Sequence, residues 1–187
     1  MSRLPLKESL FLGFCAVLLL ATKAALRWHL GLSGHAMFFT VFFLLLARGC
    51  VPFRTAATMT GLLAGLAATV LGMGKGGPLV MLNLVFPALA VDLGALLLPA
   101  MLRSYWQCAL VGALAGATKF IGAAALDFLV GMNRVILWEH ALLESAAAMV
   151  FGGAGALLLP PVVRRLVAYG VIPPKNGDTQ HEPTHLS

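Results

Sequence analysis

Long apolar runs, divided by short polar clusters and by glycine- or proline-rich stretches, dominate this chain. Six runs stand out. The first extends from about Leu10 to Leu26, after a polar start at residues 1–9 that carries Arg3 and Lys7. That start imitates a secretory signal, but Lys23 sits where small residues should mark a cleavage site and further apolar runs follow, so a retained helix is expected. The second run, Ala36 to Ala47, is intensely apolar and short for a full crossing unless it begins inside the preceding loop, Trp28–His35. The third, Thr55 to Leu71, is rich in Ala and Gly and ends at the loop GMGKGGP, residues 72–78, which cannot continue a helix. The fourth runs from Leu79 to Leu102, with bends expected at Pro87 and Pro99. The fifth covers Tyr105 to Val130 and the sixth Leu137 to about Val167. The pattern predicts an all-α membrane protein, a compact bundle of about six transmembrane helices over residues 10–168. Residues 169–187 form a polar, proline-containing tail expected to be disordered.

Composition sharpens that reading. Of 187 residues, 60% are hydrophobic and only 11% charged, with a mean hydropathy of +0.92. A soluble domain carries about a quarter of its residues charged. Lipid is the solvent that tolerates such a surface. The net charge of +6 does not point to nucleic acid, because Arg and Lys are scattered singly between apolar runs, as they are in helices anchored at headgroups. Cys15, Cys50 and Cys108 lie within or at the ends of apolar segments without CxxC spacing, so no disulfide framework or zinc site is expected.

Six spans put both termini on one side. With the termini cytoplasmic, Arg3, Lys7, Arg48, Arg54, Arg103, Arg164, Arg165 and Lys175 lie inside, against Arg27, Lys75 and Arg134 outside. That asymmetry obeys the positive-inside rule and predicts a bacterial inner (cytoplasmic) membrane protein with residues 1–9 in the cytoplasm. Small residues recur at helical spacing: Gly61 and Gly65, Gly112 and Gly116, and more weakly Ala21 and Ala25. Such pairs let backbones approach closely, either inside the bundle or against a separate membrane subunit.

Polar groups at membrane depth usually face the bundle interior or a wet cavity. In the predicted topology Asn83, Lys119 and Glu144 reach similar depths in the outer half, with Ser33, His35, Asn133, Trp138, Glu139 and His140 on the same side. They predict a small polar pocket with aromatic lining, open outward. Lys119 and Glu144 either contact a ligand or only each other. Asp92 lies nearer the inner side, where Arg48 or Arg103 could neutralise it, and a structural role is expected. The six-residue spacing of His29 and His35 matches no common metal pattern, so no metal site is predicted. No HExxH, GxSxG or Walker A pattern occurs, so neither an enzyme nor a bound cofactor is expected.

Three stretches carry a family likeness: LGLSGHAMFF (Leu30–Phe39), LLLARGCVPFRTAATMTGLLAGL (Leu44–Leu66) and, after the glycine-rich loop, FPALAVDLGALLLP (Phe86–Pro99). In this order they resemble the substrate-binding S components of energy-coupling factor (ECF) transporters. The resemblance implies a six-helix receptor that captures a vitamin or related micronutrient on its outer face. Such a receptor topples in the membrane when it docks with a transmembrane coupling subunit driven by ATP-binding subunits. It also implies that Ser33, Gly34 and His35 belong to a lid over the ligand, and that Ala21 and Ala25 meet the coupling subunit, with Lys23 between them. No His precedes His29, which argues against the metal-transporting branch of that family. The competing functions are an autonomous secondary transporter or channel, which needs a through-path, and a structural membrane subunit, for which the glycine faces suffice.

Overall fold

The computed structural model describes residues 6–29, 35–73, 79–98, 104–129, 131 and 134–170. They form eight helices: α1 (Leu6–His29), α2 (His35–Cys50), α3 (Ala56–Val70), α4 (Leu79–Leu97), α5 (Tyr105–Ala117), α6 (Lys119–Leu129), α7 (Arg134–Leu157) and α8 (Leu159–Ala168). No strand occurs among the described residues, in keeping with the need of a chain in lipid to satisfy its backbone within each helix.

Four stretches are long and apolar enough to cross a membrane: Leu6–Leu26, Val80–Leu97, Tyr105–Ala125 and Trp138–Leu166. The helices α2 and α3 are apolar but shorter, at 16 and 15 residues, or about 24 and 22 Å against a hydrocarbon core of about 30 Å. The expected fifth and sixth runs are each broken in two. At Thr118 the hydroxyl donates to the Ala115 carbonyl at 2.7 Å and ends α5. At Leu158 the amide turns back to Gly155 at 3.3 Å, and α8 restarts with Pro160 and Pro161 in its first turn, where a missing N–H costs little.

Several boundaries differ from the sequence reading. The first helix begins at Leu6 and runs to His29, so it takes in part of the polar start and of the expected loop. The fourth stops at Leu97 rather than Leu102, because the residue before a proline is biased out of helical geometry and Pro99 follows two residues later. Pro87, by contrast, stays inside α4. The expected disordered tail lies outside the described residues beyond Gly170.

The larger of two apolar clusters among the described residues joins seven of the helices. It includes Leu19 of α1, Val41, Leu44 and Leu45 of α2, Ala64 of α3, Leu84 and Val91 of α4, Val111 of α5, Ala148 of α7 and Leu159 of α8. Glycine seams bring the backbones together. Side chains at Gly61 or Gly65 would run into Ala88 and Leu84 or Met81 of α4. A side chain at Gly112 would meet the Gly152 carbonyl of α7 at 2.5 Å, and one at Gly116 would overlap the Ala148 carbonyl. Both GxxxG pairs therefore pack inside this chain. Several threonines in these helices return their hydroxyls to their own backbone, as Thr22 does to Leu18 and Thr60 to Ala56, and so need no water.

Candidate functional site

Two polar centres lie within the bundle, one toward each end. At the first, Asp92 of α4 faces the N-terminus of α3. Thr55, which precedes that helix, makes no capping bond with its own side chain. Asp92 caps α3 instead, accepting from the amides of Ala57 at 3.2 Å and Thr58 at 2.7 Å and from the Thr58 hydroxyl at 2.6 Å. A carboxylate there meets free N–H groups and the positive end of the helix dipole. The Arg48 Nε of α2 lies 3.5 Å from Asp92 Oδ1. Arg48 Nε has no hydrogen bond of its own, so this is a contact between charges. Of the two expected partners the structure pairs Asp92 with Arg48, while Arg103 lies outside the described residues. Asp92 is 8% exposed, and its oxygens are committed to holding α2, α3 and α4 together.

The second centre lies at the other end. Lys119, the first residue of α6, donates to Glu144 of α7 with Nζ 3.2 Å from Oε1, and both side chains are about three-quarters buried. Gly122 stands one turn after Lys119 on the same face of α6. The Asn83 side chain of α4 lies so close to Gly122 that a Cβ there would overlap its Oδ1. Three residues predicted for the pocket, Asn83, Lys119 and Glu144, are thus drawn together from three helices.

A further charged side chain, on α1, was not predicted for the pocket and turns into the bundle. Lys23 of α1 lines a cavity of about 40 Å³, with Leu20, Ala24, Ala68, Met73, Val80 and Leu84 around it. That is room for a few waters or one small polar group. Lys23 is half-buried there. Its position was legible, because Leu12, Cys15, Ala16, Leu19, Leu20 and Lys23 follow helical spacing and the first five are buried.

The other predicted residues fall elsewhere. His35 opens α2 half-buried, and neither ring nitrogen has a hydrogen-bond partner among the described residues. One turn on, Phe38 presses its carbonyl against Gly155 of α7. Gly155 lies three turns along α7 from Glu144, roughly 16 Å, so the start of α2 does not share the contacts of the Lys119 centre. Trp138 is 56% exposed and tilts against Phe120 at 5.5 Å between ring centroids. It looks outward from α6 and α7, where a headgroup-level tryptophan is at home. Ala21 and Ala25 are exposed on α1 in line with Leu10, Phe14 and Val17. Lys23 points away from that strip into the bundle, so the strip is uncharged. Ser33, Gly34 and Asn133 lie outside the described residues, and no cluster of three or more metal-ligating side chains occurs among the described ones.

No protein-family model matches the chain, and neither a curated protein nor a solved structure proves similar to it.

Proposed function

We propose that this chain is the substrate-binding membrane subunit of an ECF-type uptake transporter, capturing a vitamin or related small micronutrient at the end of the bundle that holds Lys119. The observation that carries the reading is the meeting of Asn83, Lys119 and Glu144 inside a predominantly apolar helical protein. Charged groups at that depth are costly, and they mark ligand sites more often than packing devices. In this reading α2 and α3 complete six spans, both termini are cytoplasmic, and the Lys119 end faces outward across a bacterial inner membrane. A transmembrane coupling subunit meets the uncharged strip of α1 that includes Ala21 and Ala25, and separate ATP-binding subunits supply the energy. The protein itself binds and presents, and performs no covalent chemistry.

An autonomous transporter or channel would need polar groups strung through both halves. Asp92 stands toward the other end, but the amides of α3 and Arg48 already occupy its oxygens. A purely structural subunit would leave the Lys119 centre without a purpose beyond its own ion pair.

The test is to purify the protein in mild detergent and identify co-purifying metabolites by mass spectrometry. A bound micronutrient that raises the melting temperature when added back supports the receptor reading. Flux of solute through liposomes holding this protein alone would overturn it.

A further inference from the structure

The short helix α8 carries charge that the described part of the fold leaves unbalanced. Leu159 and Pro160 are buried and Val162, Val163 and Leu166 half-buried, so one side of α8 packs on the bundle. The opposite side presents Pro161, Arg164, Arg165 and Ala168, all exposed and at helical spacing. No carboxylate among the described residues pairs with either arginine. Two like charges side by side repel, and an anion between them relieves both.

The surroundings say which anion. The Arg164 guanidinium lies 5.8 Å over the ring of Tyr105, at the start of α5. That contact uses the charge and takes none of the N–H groups, which remain free for an acceptor. Trp106 next to it and Tyr169 one turn beyond Arg165 are exposed, as rings at a water–lipid boundary are. From Trp106 an exposed apolar row runs along α5 through Leu110 and Leu114, one turn apart. Guanidinium groups match phosphate oxygens with paired donors. A basic head above an apolar row suits an amphiphile, whereas a free phosphate would use the arginines and leave the row idle.

We infer that Arg164 and Arg165 of α8, beside Tyr105 and Trp106 of α5, bind the headgroup of an anionic phospholipid whose chains lie along α5. The site is separate from the Lys119 centre and does not rest on the receptor reading.

Protein in a neutral detergent is titrated with phosphatidylglycerol and with phosphatidylcholine, and bound lipid is counted by native mass spectrometry. Wild type should prefer phosphatidylglycerol by about tenfold or more, a comparison that needs no variant. The double variant Arg164→Gln/Arg165→Gln should bind phosphatidylglycerol about tenfold to thirtyfold more weakly, or about fivefold per arginine, and phosphatidylcholine as before. Arg54→Gln removes another exposed arginine, before α3, and should leave binding unchanged. Equal binding of the two lipids by wild type, or unaltered affinity in the folded double variant, overturns the proposal. So does an equal loss in Arg54→Gln, which would reduce the effect to net charge. Glycerol phosphate, a headgroup without chains, should bind far more weakly than the lipid. If it binds as well, the face takes a soluble phosphate and the lipid assignment fails. Displacement of phosphatidylglycerol by polyglutamate would assign the face to an acidic protein segment, with the same consequence.

Discussion

Asp92 illustrates how one side chain can hold three helices. Its oxygens take the first free amides of α3 and its charge faces Arg48. Asp92→Ala strands a buried guanidinium and uncaps a helix together, and should cost about 3–5 kcal/mol of stability. Adding Arg48→Met should recover part of that loss, because the stranded charge goes with it. Thermal unfolding in detergent of the two single variants and the double variant reads both effects. The sequence already singled out Asp92 as structural, since it lies between arginines at the basic side of the fold. The capping bond was not legible, because it joins residues 34 and 35 positions apart. At the other centre, Gly122→Ala must push the Asn83 side chain away from α6. Ligand affinity should fall while Lys119–Glu144 stays intact, and an unchanged affinity would remove Asn83 from the site.

At the level of helices, the seam between α5 and α7 depends on close backbone approach. Backbone carbonyls fill the space where side chains at Gly112 and Gly116 would go, and lipid offers no hydrophobic drive to restore a seam once it is wedged apart. Gly116→Leu should therefore cost about 3 kcal/mol or more and lower the yield of folded protein. Gly13, where an added Cβ would meet nothing within 4 Å, supplies the control. Gly13→Ala should leave stability unchanged or raise it by about 0.5–1 kcal/mol, because Ala favours helix. Size-exclusion profiles and melting curves distinguish the two. The spacing of these glycines was visible in the sequence, as was the choice between internal and external packing, which the structure resolves as internal. The break at Thr118 was not visible. Thr continues helices readily when its hydroxyl folds back on the same helix, as Thr60 shows, and nothing in the run Gly116–Lys119 marks the change from one outcome to the other.

Across the whole molecule, the apolar surface fits a lipid-facing protein. Leu143, Val150, Phe128 and Leu97 are each at least 70% exposed. Aromatic rings sit at both ends, Trp138 at one and Tyr105, Trp106 and Tyr169 at the other, where Arg164 lies 5.8 Å over the Tyr105 ring. Cys15 and Cys108 are fully buried, so a bulky maleimide should label neither in the folded protein and both after denaturation. The helical class, four of the six expected membrane-length runs and the approach of Asn83, Lys119 and Glu144 could be read from apolar spacing and helical rise. The placement of His35 and Trp138 could not, because it depends on how α2 crosses α7 and which way the first turns of α7 rotate, and both are tertiary choices. The proposed receptor function requires the Lys119–Glu144 pair to be a ligand contact as well as an ion pair. Its most direct measurement is the affinity of Lys119→Ala and Glu144→Ala for the co-purified ligand, read beside their melting temperatures without ligand. Loss of binding in variants that still fold and melt cooperatively is the predicted result. Unaltered affinity in the fraction that folds, with a large drop in melting temperature, would reduce the pair to a strut and contradict the account.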